Sequence, residues 1–125
     1  MDIQKQVDYW TAGSREDLEV AEMLCEKGRF RHGLFFAHLA IEKMLKAHVT
    51  LKTQQVPPKI HNLLRLAETA GIELLPEQEL WLSRFNMFQL EGRYPDMAQV
   101  TVDRPAAEQR LATAQEFLRW LTAQL

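Results

Sequence analysis

Charged side chains recur at helical spacing in the stretch GLFFAHLAIEKMLKAHV. His38, Glu42 and Lys46 follow one another at intervals of four residues, so a helix places them on one face, with Lys43 beside them. One interpretation is a solvated polar edge, in which each pair contributes about 0.2–0.5 kcal/mol. The other is a cleft or subunit interface, because the stretch is apolar on two sides and polar groups buried there need partners. The sequence alone leaves both interpretations open.

These residue types give little support to metal binding or nucleophilic catalysis. His38 and Glu42 supply two possible ligands, whereas the Glu-x-x-His motif of carboxylate-bridged di-iron bundles is absent. Cys25 falls on the apolar stripe of a predicted helix, where a thiol is usually inert. No glycine-rich phosphate loop is present. We therefore predict no metal and no cofactor.

His61 lies in the stretch PPKIHNLL, at the start of a short predicted helix. A histidine there can cap the helix or pack against it, because the first backbone N–H groups of a helix need acceptors. It can also bind a ligand or transfer a proton, since histidine titrates near neutral pH. We take the capping or packing role as the simpler expectation and the site role as the alternative.

The tetrapeptide RYPD combines a guanidinium, a phenol and a carboxylate just after a predicted helix end. Gly92 and Pro95 stop that helix, and Asp96 supports a turn. Arg93 offers a planar fork that suits phosphate or carboxylate, while Tyr94 can pack its ring and keep its hydroxyl in water. The tetrapeptide is therefore either a helix stop or part of a site for an anionic ligand.

Helical periodicity dominates the chain, and no clean alternating strand pattern occurs. Apolar spacing and end signals predict five helices, at about 3–27, 30–52, 60–70, 76–92 and from 104 onward. Gly28 and Gly71 follow two of them as C-terminal caps, and Asp103 precedes the last as an N-cap. The pattern predicts an all-α, up-and-down bundle of four to five helices, formed by residues 1–125 as one domain.

Two further features concern the fourth predicted helix and the segment after it. Trp81, Phe85 and Phe88 recur at helical spacing, which predicts a core face rather than a surface for base stacking. The longest irregular stretch, 93–102, begins with the RYPD residues. Irregular segments of this length in a small domain are often functional.

Length and charge limit the possible functions. A chain of 125 residues is one domain long, and a net charge of −2 provides no global basic surface for nucleic acid, although a local patch is compatible with it. A single cysteine agrees with a reducing compartment. The N-terminus MDIQKQVDYW lacks the apolar core of a signal peptide, and no apolar run is long enough to span a membrane. We expect a cytoplasmic protein without membrane association.

Three stretches, GLFFAHLAIEKMLKAHV, PPKIHNLLRLAETAGI and FNMFQLEGRYPD, closely resemble in order and spacing the prokaryotic HEPN domain (higher eukaryotes and prokaryotes nucleotide-binding). The stretch YWTAGSREDLEVAEMLCEKGRF fits the first helix of that family, so the resemblance covers about Tyr9 to Leu121. It implies a helical bundle, commonly a homodimer, often encoded beside a minimal nucleotidyltransferase as half of a toxin–antitoxin pair. Many HEPN proteins are metal-independent ribonucleases, in which an arginine is followed after four to six residues by a histidine.

The ribonuclease motif of the family is incomplete in this sequence. Counting from Arg93, the histidine would stand at Ala98, Gln99 or Val100, and no histidine occurs after His61. The resemblance therefore implies that Arg93 can contact a phosphate without the usual partner for proton transfer.

We expect a non-catalytic binding protein that holds a nucleotide or a nucleotidyltransferase partner, as a homodimer. In its site Arg93 contacts phosphate, Tyr94 stacks or hydrogen-bonds, and Asp96 lies beside them. The remaining candidate residues come from the two earlier stretches: His38, Glu42, Lys43, Lys46 and His61. The alternatives are a metal-independent ribonuclease toxin with a variant site, acting on RNA, and a purely structural dimerisation module without a ligand.

Overall fold

Five α-helices and one turn of 3₁₀ helix form the part of the chain that the computed structural model describes, residues 1–89 and 101–125. The elements are α1 (Ile3–Glu26), α2 (Phe30–Thr53), α3 (Leu63–Thr69), α4 (Pro76–Phe85), the 3₁₀ turn (Asn86–Phe88) and α5 (Arg104–Ala123). No strand occurs in these residues. The predicted all-α bundle is confirmed, and the bounds of α1 and α2 agree with the predicted ones to within one residue.

α1 and α2 form an antiparallel hairpin that turns at Gly28. The φ of Gly28 is 80°, which lets the N–H of Arg29 bond the carbonyl of Leu24 at 2.8 Å, as in a Schellman cap. The predicted glycine cap is therefore confirmed. Close to the turn the two helices approach so tightly that a Cβ on Gly33 would lie 2.5 Å from Sγ of Cys25. A larger residue than glycine at this position would force the helices apart.

Small and polar side chains line the rest of this contact. Ser14 Oγ donates to the carbonyl of Ala40 at 2.7 Å, and both residues are buried. Cys25 is buried in the same layer; this burial raises the pKa of its thiol, while the nearby Arg104 acts in the opposite direction. A buried thiol that resists deprotonation is a poor nucleophile, which agrees with the expected inert cysteine.

α3 begins at Leu63, so the predicted start at residue 60 is wrong. The physical reason is Asn62, whose side-chain oxygen accepts from the N–H of Arg65 at 3.2 Å and caps the helix. Ile60 precedes the cap and packs, partly buried, against the core.

The predicted end of α3 and the predicted start of α5 are confirmed. Gly71 has a φ of 68°, and the N–H of Ile72 bonds the carbonyl of Ala67 at 3.1 Å in a second Schellman cap. Asp103 caps α5, because its carboxylate accepts from the N–H of Ala106 at 2.9 Å.

α4 ends at Phe85, so the predicted continuation to Gly92 is wrong. The chain tightens into the 3₁₀ turn, as helices often do at their C-terminal ends. This turn brings the Asn86 side-chain oxygen within 3.0 Å of the N–H of Leu63 and keeps Phe88 buried. The predicted irregular stretch runs from residue 93 to residue 102. Residues 93 to 100 lie outside the described residues, and residues 101 and 102 have no regular secondary structure.

α2 is the central helix and contacts α1, α3, α5 and the 3₁₀ turn. The aromatic core of the fourth predicted helix is confirmed, since Phe85 and Phe88 are buried and Trp81 stacks on Phe85 with ring centroids 4.5 Å apart. Neither α2 nor any other helix of residues 1–89 and 101–125 is long and apolar enough to cross a membrane.

His48 connects α2 to the end of α5. Its Nε2 lies 2.9 Å from the carbonyl oxygen of Leu121, and since a carbonyl can only accept, Nε2 carries the proton. The ring is buried, and this burial lowers its pKa, while the bond to Leu121 acts in the opposite direction. The folded protein therefore favours the neutral ring.

Acidification should weaken the fold through His48. Below a pH of about 6.5 the ring takes up a proton in the unfolded chain, whereas the folded chain takes it up only at lower pH. The free energy of unfolding should therefore fall as the pH drops below about 6.5. His48→Gln, which retains a donor N–H, should remove this part of the pH dependence. Urea unfolding of both proteins across this range measures it, and identical pH dependences would contradict the assignment.

Candidate functional site

A buried carboxylate organises the polar residues of α2. Glu42 is 4% exposed, and its Oε2 accepts from Nζ of Lys46 at 3.0 Å. Its Oε1 accepts from Nδ1 of His61 at 3.0 Å, and Nδ1 of His38 lies 3.9 Å from the same oxygen. These four residues are referred to below as the Glu42 cluster.

Lys46 lies between the Glu42 carboxylate and an aromatic ring of α1. It is 6% exposed, and its ammonium is 5.4 Å from the centroid of the Trp10 ring, a cation–π distance. His38 is fully buried as well. The interpretation of His38, Glu42 and Lys46 as a solvated edge is therefore wrong, because this face of α2 meets α1, the start of α3 and the 3₁₀ turn instead of water.

His38 joins the cluster to the 3₁₀ turn. Its Nε2 lies 3.3 Å from Oδ1 of Asn86, and that oxygen also accepts from the N–H of Leu63. The contact with a backbone N–H identifies this Asn86 atom as oxygen, so Nε2 of His38 carries the proton. Nδ2 of Asn86 donates to the Asn62 side chain at 3.3 Å. The two asparagines thus tie the cluster to the N-terminal end of α3.

His61 does not cap α3, because Asn62 fills that position. The capping part of the expected capping or packing role is therefore wrong. The His61 side chain is 45% exposed, and its Nδ1 bonds the buried Glu42 carboxylate. A carboxylate that accepts from one ring nitrogen fixes the orientation and tautomer of the ring. This residue connects the buried cluster to the molecular surface, so the site role remains open to it.

The structure does not bring every predicted site residue together. Lys43 turns toward α1, where its Nζ lies 2.7 Å from the Asp17 carboxylate. Arg93, Tyr94 and Asp96 lie outside the described residues. In the sequence these three residues come after the 3₁₀ turn, which contacts the cluster.

Four residues of this region are not among the predicted site residues: Asn62, Asn86, Asp17 and Trp10. Asn62 carries a local signal, since an asparagine before an apolar run is a typical N-cap. The partners of Asn86, Asp17 and Trp10 lie 23 to 48 residues away in the chain, so no local pattern marks these three residues. Among the described residues, no group of three or more His, Cys, Asp or Glu side chains is arranged to hold a metal ion.

The Glu42–Lys46 pair should respond asymmetrically to mutation. Lys46→Met removes the ammonium and leaves the carboxylate buried without its cation, so the free energy of unfolding should fall by about 3–5 kcal/mol. The double variant Glu42→Leu with Lys46→Met removes both charges and should lose much less. Urea unfolding measures both changes. A double variant as unstable as the single one would mean that charge burial is not the cause.

Comparison with known proteins gives the family. The model of the HEPN domain matches residues 7–124. Solved structures with a similar fold include TT1696 from Thermus thermophilus, with a TM-score of 0.80 and 23% identity over 96% of this chain and 98% of that one. They also include ST0689, an archaeal HEPN homologue, with a TM-score of 0.70 and 18% identity over 94% of this chain and 96% of that one. No curated protein matches the chain. Since the family model spans almost its whole length, the chain belongs to the HEPN domain family.

Proposed function

We propose that this HEPN-domain protein is a binding component that holds a nucleotide, or the phosphate groups of an RNA, beside the Glu42 cluster. The observation that carries the proposal is the buried Glu42 carboxylate, which orients the partly exposed ring of His61. A buried ion pair is often no more stabilising than apolar residues of the same volume, so stability alone does not explain why Glu42 and Lys46 are charged. A charged cluster that reaches the surface through a histidine therefore favours a site over a purely structural role.

The cluster suits an anion because its partly exposed residue, His61, can donate a hydrogen bond when its ring is protonated. Lys46 already neutralises the charge of Glu42. With Nδ1 of His61 bonded to the carboxylate, Nε2 lies on the opposite side of the ring and is directed away from Glu42. When protonated, Nε2 presents an N–H that can form a charge-assisted bond to a phosphate oxygen.

Chain connectivity supports one shared site for the cluster and the RYPD residues. Asn86 contacts both His38 and Leu63, so the 3₁₀ turn lies against the start of α3. Arg93 follows the last residue of that turn by five positions. An extended chain of this length spans at most about 18 Å, which is compatible with one phosphate shared by Arg93 and His61.

The proposed roles differ from the sequence expectation for the lysines. Lys46 serves the carboxylate and Lys43 pairs with Asp17, so neither is assigned to the phosphate. In the proposal Arg93 contacts the phosphate and Tyr94 stacks on or hydrogen-bonds to the rest of the ligand, beside Asp96.

We further propose that the protein acts as a homodimer in the cytoplasm and pairs with a minimal nucleotidyltransferase, in a toxin–antitoxin-like system. These assignments rest on the family resemblance. Native mass spectrometry tests the homodimer and the partner. It is applied to the protein purified alone and after co-expression with the product of a neighbouring nucleotidyltransferase gene. A monomer that captures no partner would contradict them.

Nucleotide binding can be measured by calorimetry with ATP and with a short single-stranded RNA. Arg93→Ala and His61→Ala should each lower the affinity about tenfold, because each removes a charge-assisted hydrogen bond to phosphate. Arg15→Ala, which removes an exposed arginine of α1, is the matched control and should bind normally. No heat with the wild-type protein, or equal affinities for all variants, would contradict the proposal.

A second candidate function is RNA cleavage with a variant site, and the Glu42–His61 contact is the observation that favours it. A carboxylate-oriented imidazole is a common arrangement for a general base. His61, coming from the start of α3, would then supply the proton transfer for which no histidine follows Arg93.

The ribonuclease candidate predicts cleavage of RNA in the presence of EDTA. Cleavage should fall by at least about a hundredfold in His61→Asn, which removes the general base, and also in Arg93→Ala. Gel analysis of RNA incubated with each protein measures the effect. Absence of cleavage by the wild-type protein would eliminate this candidate, whereas the binding proposal would still be decided by calorimetry.

A further inference from the structure

A pocket of about 410 Å³ opens between α4 and α5. Trp81, Phe117 and Trp120 supply its aromatic surface, and the carboxylates of Glu77 and Glu116 also line it. No residue of the Glu42 cluster takes part. The pocket therefore calls for an explanation separate from the proposed nucleotide site.

The three rings are held in place by packing. Phe117 is 5% exposed, with its ring centroid 6.1 Å from that of Trp81 and 5.6 Å from that of Trp120. Trp81 is in turn stacked on the buried ring of Phe85. Trp81 and Trp120 are only partly buried, so part of each indole remains accessible from the pocket. Preorganised aromatic faces carry a negative quadrupole potential, which attracts cations.

The charged residues that line the pocket have a single sign. Glu77 lies in the first turn of α4 and Glu116 lies on α5. Neither carboxylate forms an ion pair within residues 1–89 and 101–125, and no lysine or arginine is among the described residues that line the pocket. Glu77 is favourable at its position because the N-terminal end of the α4 dipole is positive. The dipole explains neither the aromatic rings nor Glu116.

Other classes of ligand fit this pocket less well. Two carboxylates repel phosphate and carboxylate groups, so a nucleotide is disfavoured here. A neutral aromatic compound would use the rings but would gain nothing from the carboxylates. A compact organic cation uses both, since the rings attract its charge and the carboxylates complete its neutralisation.

We propose that the α4–α5 pocket binds a small organic cation of the substituted ammonium class. The charged group lies against the faces of Trp81 and Trp120, with Phe117 behind it. Glu77 and Glu116 contact its outer side. This site is independent of the proposed nucleotide site, so either can fail without the other.

Choline and its neutral isostere 3,3-dimethyl-1-butanol provide the test, because they share a shape and differ in charge. Nuclear magnetic resonance follows the indole N–H signals of the full-length protein. The chain contains three tryptophans, and Trp10, which contacts Lys46, serves as internal reference. Choline should shift Trp81 and Trp120 but leave Trp10 unchanged, with about tenfold higher affinity than the isostere. No shift with choline, or equal affinity for the isostere, would overturn the proposal.

Two variants test the residues. Trp120→Leu should abolish the shift of Trp81. Glu77→Gln with Glu116→Gln keeps the shape and the fold of the pocket and should lower the choline affinity several-fold at low salt. Glu79→Gln, which removes an exposed carboxylate of α4 outside the pocket, is the matched control and should bind choline like the wild-type protein. Equal affinities of the double variant and the control would overturn the assigned role of the carboxylates.

Discussion

The burial of the Glu42 carboxylate is the constraint on which the polar structure of this bundle depends. A carboxylate taken out of water needs a counter-charge and hydrogen-bond donors, and Lys46 and His61 supply them at 3.0 Å each. Their positions follow from that need. Lys46 is held on the same helix and is backed by Trp10 of α1, whereas His61 is brought in by the start of α3. One charge on the central helix thus fixes how two other elements meet it.

Asn86 extends this arrangement to the chain that leads into the RYPD segment. Its side chain contacts His38, accepts from the N–H of Leu63 and donates to the side chain of Asn62. The 3₁₀ turn that follows α4 is therefore tied to the polar cluster through Asn86. A site assembled from the cluster and Arg93 agrees with this construction.

The two proposed sites have opposite charge preferences and share an aromatic connection. His38 stacks on Phe85 with ring centroids 6.4 Å apart, and Phe85 stacks on Trp81 of the α4–α5 pocket. In the proposals, the protonated ring of His61 serves the anion site, while the aromatic faces and carboxylates of the pocket serve a cation. A net charge of −2 for the whole chain describes neither surface, because each depends on a few local groups.

The sequence by itself determined the helical architecture, because helix ends depend on local chemistry. Gly28, Gly71 and Asp103 act within a few residues of their own position, and the spacing of His38, Glu42 and Lys46 places them on one face of α2 whatever surrounds it. The tertiary structure alone decided that this face is buried, that His61 bonds Glu42 and that Asn86 contacts His38 and Leu63. These contacts join residues 19 to 48 positions apart, so their energies depend on how the helices pack and not on any local pattern.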